Sequence, residues 1–141
     1  MTGINTGKVI TGGLVAGVVF NVLDFAINLA LADEFTANLT RLGLDPAVQN
    51  SPAVMATWIL VDFILGIITV FTYAAIRPRF GPGPRTAIYA GLVPFTAVCA
   101  AIFGFSQLGF FTSALLGKYV ALGLITVSLG SIAGAWTYRE A

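Results

Sequence analysis

The stretch from Pro52 to Arg85 constrains this chain more than any other. It opens with an apolar run, Ala53 to Ile76, that carries one acid, Asp62. It then passes straight into Arg77-Pro78-Arg79-Phe80-Gly81-Pro82-Gly83-Pro84-Arg85. About two dozen nearly uncharged residues in a helix, at a rise of roughly 1.5 Å each, are enough to cross a bilayer core of roughly 30 Å. A soluble helix needs no such run. Arg77, Arg79 and Arg85 mark the end that stays in the cytoplasm, because Lys and Arg are retained on that side, and they suit anionic lipid headgroups there. Asp62 is then left deep in lipid or protein.

Composition generalises the inference. Of 141 residues, 57% are hydrophobic and 9% charged, and the mean hydropathy is +0.93, outside the range of soluble domains. The net charge of +1 offers no basic surface for nucleic acid. Cys99 stands alone, so no internal disulfide can form. The absence of histidine removes the commonest haem and transition-metal ligand and every imidazole-based general base. No nucleophile stands beside a base. The chain is therefore expected to hold no metal and no cofactor and not to be an enzyme.

Four spans follow from the apolar runs, at about 9–32, 53–76, 86–105 and 113–138. Met1 to Gly7 is a short polar lead, read as a cytoplasmic tail. The first run, which ends Ala30-Leu31-Ala32, imitates a secretory signal, but it is too long and is interrupted by Asn21, Asp24 and Asn28. It is expected to remain as a span. In it Gly13, Gly17, Asn21, Asp24 and Asn28 recur at steps of three and four and share one helical face. In the second span Trp58, Asp62, Gly66, Thr69 and Tyr73 do the same. Between them, Phe35, Leu39 and Leu42 predict a short amphipathic helix on the outer membrane surface, ending near Gly43. Pro94 is expected to kink the third span. Gly13 with Gly17 and Gly130 with Gly134 are small-residue pairs suited to close helix packing. Lys8, Arg77, Arg79, Arg85 and Arg139 fall on one side of this scheme, Arg41 and Lys118 on the other. The expected fold is all-α: one polytopic domain over 1–141, a four-transmembrane-helix bundle with both termini inside.

The buried charges are the candidates for chemistry. Asp24 lies eight residues from the outer end of the first span and Asp62 nine from the outer start of the second, so both are expected at one depth. Lys118 lies about one turn below the outer surface, from where it can reach them, with Asn21 and Asn28 as donors. Two carboxylates and one ammonium leave a charge to be balanced by a proton or a cation. The cluster reads either as an ion-linked site, since acids in spans are costly, or as a polar clasp that locks helices together. Trp58, Tyr73, Trp136 and Tyr138 are expected as interfacial anchors, with Trp58 and Tyr73 also on the Asp62 face.

The segment Tyr73 to Ala87, placed between the second and third spans, resembles one shared by a family of small bacterial four-span membrane proteins of unknown function. The polar pattern of the first span fits as well. That resemblance implies the fold and an inner-membrane location, and brings no activity with it. Small multidrug exporters are similar in size and span number and have one acid in the first span; Asp62 and Lys118 depart from that pattern. Two functions stand as expectations: a non-enzymatic accessory or packing subunit of a membrane assembly, or a small proton- or cation-coupled transporter or channel acting as a homodimer.

Overall fold

A computed structural model describes residues 3–139; Met1 and Thr2 of the polar lead, and Glu140 and Ala141, lie outside the described residues. The chain runs α1 (Thr6–Ala30), α2 (Ala32–Arg41), a 3-10 turn (Pro46–Asn50), α3 (Pro52–Phe80), α4 (Pro84–Gln107) and α5 (Ser113–Thr137), with no strand among the described residues. Four of these, α1, α3, α4 and α5, are long and apolar enough to cross a membrane. This is a multi-pass membrane protein. Residues such as Val22, Phe25, Leu29 and Leu60, exposed on the bundle, are its lipid contacts.

Local chemistry sets the ends. Asn5 caps α1, its side chain accepting from the Lys8 N–H at 3.1 Å, so the helix starts three residues earlier than Val9. Thr112 caps α5 in the same way, accepting from Leu115 N–H at 3.2 Å. The connection after the first span holds α2 and then the 3-10 turn. α2 carries Asp33 and Glu34 in its first turn and Arg41 in its last, which suits the helix dipole. Asp45 then accepts from Ala47 N–H at 2.9 Å and opens the 3-10 turn.

The arginine hairpin is tighter than expected. α3 does not stop at Ile76 but runs through Pro78 to Phe80, and Gly81, at a φ of 80°, ends it. Only 81–83 remain as connection, held where the Gly83 N–H donates to the Tyr73 hydroxyl at 3.2 Å. α4 continues through Pro94.

α1 packs between α3 and α5, and α4 completes the ring against both. The contacts are built from small residues, since lipid is as apolar as a side chain and association depends on close van der Waals fit. Gly13 lies against Ile67, Gly17 against Phe63, Gly130 against Phe20, and Gly134 against Gly12, Ala16 and Val70. The core sits toward the end that bears the hairpin and the described termini, where Ala16, Val70, Tyr73, Ala90 and Tyr138 are buried together. A smaller cluster of Ile27, Leu31 and Leu115 ties α1 to α5 at the far end. α3 and α4 join only the first: the buried residues of α3 begin at Asp62, and those of α4 end at Gly91.

Candidate functional site

Where α3 and α4 lose their inward neighbours, a cavity of about 70 Å³ opens among all four spans. Phe20, Asp24 and Ile27 line it from α1, and Asp62, Leu65 and Thr69 from α3. Pro94, Phe95 and Val98 close it from α4, and Tyr119, Gly123, Thr126 and Val127 from α5. Both acids of the expected cluster therefore meet the same space. Asp62 is 8% exposed and lies within reach of the Asp24 charge; the Thr126 hydroxyl stands beside the Asp24 carboxyl.

The two acids are not level. Gly13 opposite Ile67, Gly17 opposite Phe63, and the Asn21 side chain on the Ile59 carbonyl fix the antiparallel register of α1 and α3. Asp62 thereby faces position 18, and Asp24 lies six residues further from the hairpin end, roughly 9 Å by helical rise. Side chains lean toward their own helix N-terminus, toward the hairpin end for Asp24 and away from it for Asp62, so the carboxyls approach one another across that offset.

Lys118 does not join them. Its ammonium pairs with Glu34 of α2 at 2.5 Å, and both side chains are exposed. The physical reason is proximity: Glu34 lies at the same end of the bundle, away from the hairpin, and pairing there keeps both charges exposed. Asn21 donates to the Gly17 carbonyl at 2.9 Å and to Ile59 at 3.4 Å. Asn28 donates to the Asp24 backbone carbonyl at 2.9 Å and accepts from Gln49 at 3.1 Å. Both asparagines belong to the α1–α3 contact and its outer connection, and neither lines the cavity. Trp58 is 61% exposed and turned away from it. Tyr73 is buried near the hairpin, edge-on to Tyr138. Of the arginines, Arg77 lies over the Tyr138 ring at 5.8 Å. Arg85 donates to the Tyr89 hydroxyl at 2.8 Å, and Arg79 is exposed. Gly13, Gly17, Gly130 and Gly134 are all buried at helix contacts.

Two partners were hidden from sequence reasoning. Thr126 and Tyr119 carry no signal in α5 beyond the usual mixture of a span. Glu34 had one: an acid and a base near the same boundary.

Among the described residues, no group of three or more His, Cys, Asp or Glu is arranged to hold a metal ion. What the cavity offers is two carboxyls, two threonine hydroxyls and one phenol in otherwise apolar walls. Such a site can bind and release a proton, and can hold water. The chain matches no protein-family model, no curated protein and no solved structure.

Proposed function

We propose that this chain is a small proton-linked transporter of a bacterial inner membrane, with both termini in the cytoplasm, and not an enzyme. The observation that supports the reading is the convergence of Asp24 and Asp62, from adjacent spans, on one cavity among four helices. Acids in a span are expensive and face either a partner or a water-filled space. The partners expected for a clasp, Asn21, Asn28 and Lys118, do not bond either carboxyl, which favours the transport reading over the accessory subunit. The cavity is walled by a single chain; a second copy is not needed to complete it.

The test is proton flux in liposomes carrying the wild type or Asp62→Asn, under an imposed pH gradient, beside thermal unfolding in detergent. Flux in the wild type and its loss in a variant that still folds support the reading. Absence of flux from both, with the variant unfolded, would overturn it and return the acid to a structural role.

A further inference from the structure

Thr69 lies on the Asp62 face of α3, two turns further in. It is 1% exposed, lines the same cavity, and its hydroxyl has no hydrogen-bond partner among the described residues. Six other hydroxyls of the spans behave differently. Thr11, Thr57, Thr72, Thr96, Ser128 and Ser131 each donate to the carbonyl four residues back. The Leu65 carbonyl stands in that place for Thr69 and is not used. A fully buried hydroxyl is rarely left unpaired, and the space it borders is where its partner must lie.

We propose that the Thr69 hydroxyl holds water at the inner end of the cavity, which is thereby a water-filled proton path running from Asp24 past Asp62 to Thr69. The proposal rests on the proton-linked reading of the same site and names its inner terminus. Water spans the gap between Asp62 and Thr69 where one metal cation does not. Asp62 and Thr69 are separated by roughly 10 Å of helix at about 1.5 Å per residue, whereas the oxygens around one bare cation lie within about 2.6 Å of it. The walls between them, Leu65, Phe20 and Phe95, supply no oxygen. A cavity of about 70 Å³ with carboxyls and hydroxyls at its margins accommodates a few water molecules. In the transfer an O–H bond of the Asp62 carboxyl breaks as one forms on the adjoining water. That water passes one of its own protons to the Asp24 carboxylate, while Thr69 Oγ1 only accepts a hydrogen bond that orients the inner end of the water chain, so only protons move. Inward of Thr69 the buried Val70, Tyr73 and Ala74 close the bundle, which makes the path a half-channel.

Proton flux in liposomes, with the full chain and with Thr69→Val, Thr69→Ser and Asp62→Asn, tests this. Thr69→Val keeps the shape and removes the hydroxyl. It is expected to lower flux about tenfold or more with an unchanged melting temperature, and Thr69→Ser to restore it, while sodium or potassium gradients leave the rate unaltered. Wild-type flux in Thr69→Val would overturn the proposal; if Asp62→Asn still abolishes flux, the proton-linked reading survives that result. A saturable dependence of flux on sodium would overturn the choice of proton and water. In the unmutated chain, magnetisation transfer from water to the Thr69 methyl group is expected by NMR. Its absence would overturn the proposal without recourse to any variant.

Discussion

Gly13 of α1 and Ile67 of α3 meet backbone to backbone: a Cβ added to Gly13 would fall 2.5 Å from the Ile67 Cα. From the other side, a Cβ on Gly66 would run into the Gly13 carbonyl oxygen and the Gly17 nitrogen. Backbone cannot swing aside as a side-chain tip can, so either methyl group forces α1 and α3 apart. Gly13→Ala and Gly66→Ala are each expected to destabilise the bundle by about 1–3 kcal/mol, the usual cost of overpacking. The control is Gly104→Ala, where nothing lies within 4 Å and better helix propensity gives a gain of about 0.5–1 kcal/mol. Unfolding in mixed detergent measures all three. Because the first two relieve the same contact, their double variant should cost less than the sum.

The sequence displayed these glycines, and with them the four spans, because period and hydropathy are local properties. Register is not local. The expectation that Asp24 and Asp62 share a depth came from counting inward from assumed span ends, and those ends were set by signals of different strength. α1 ends at Ala30, two residues short of the expected end, and α3 starts at Pro52, while the Gly13–Ile67 contact decides how the two helices slide. Lys118 failed for a related reason. Its depth was legible, but its partner lies in α2, whose docking depends on Asn38 and Arg41 reaching the α4–α5 turn. Thr69 was visible only as one more member of a face. Its missing backbone bond exists only in three dimensions.

That docking of α2 gives the second prediction. Asn38 is 6% exposed and donates to the Phe110 carbonyl at 3.0 Å. Its oxygen accepts from Arg41 at 2.9 Å, and Arg41 also donates to the Gly109 carbonyl at 2.7 Å. Asn38→Ala removes a group on which both the turn and the arginine depend, and is expected to cost about 1–3 kcal/mol. Thr40→Ala, on the same helix, deletes an exposed hydroxyl bonded only within α2 and should stay within about 0.5 kcal/mol of the wild type. Equilibrium unfolding separates the two.

The Glu34–Lys118 pair predicts a dependence on pH. The hydrogen bond from Lys118 holds the Glu34 carboxyl below its ordinary value of 4.5. A carboxyl that binds its proton less readily when docked contributes to docking above that ordinary value, and the contribution is lost as the pH falls through the lowered one. Both side chains are in contact with solvent, so the effect is small and screened by salt. Hydrogen exchange of the α2 amides should accelerate in acid relative to Glu34→Gln, and the two should converge at high ionic strength. Identical exchange in wild type and variant at neutral pH and low salt would count against any role of the pair in docking.

The cavity itself can be filled without touching either acid. Gly123 lines it from α5, and a Cβ there would meet only the rim of the Phe95 ring, at 2.8 Å from Cε2. A ring edge can rotate away, unlike the backbone that opposes Gly13. Gly123→Val therefore places a branched apolar side chain in the space between Asp24 and Asp62 and the α4 wall. It should exclude the water that the acids need while the small-residue contacts of α1 with α3 and α5 stay intact. Proton flux is expected to fall about tenfold or more, equivalent to a barrier raised by about 1.4 kcal/mol, with the unfolding midpoint unchanged or raised by the added apolar contact. Undiminished flux through a filled cavity would mean that protons reach Asp62 by another route, or that Asp62 does not carry them. Flux lost together with the fold would mean that Phe95 cannot yield. Gly123→Ala, which asks less of that ring, then measures how much of the space the path requires.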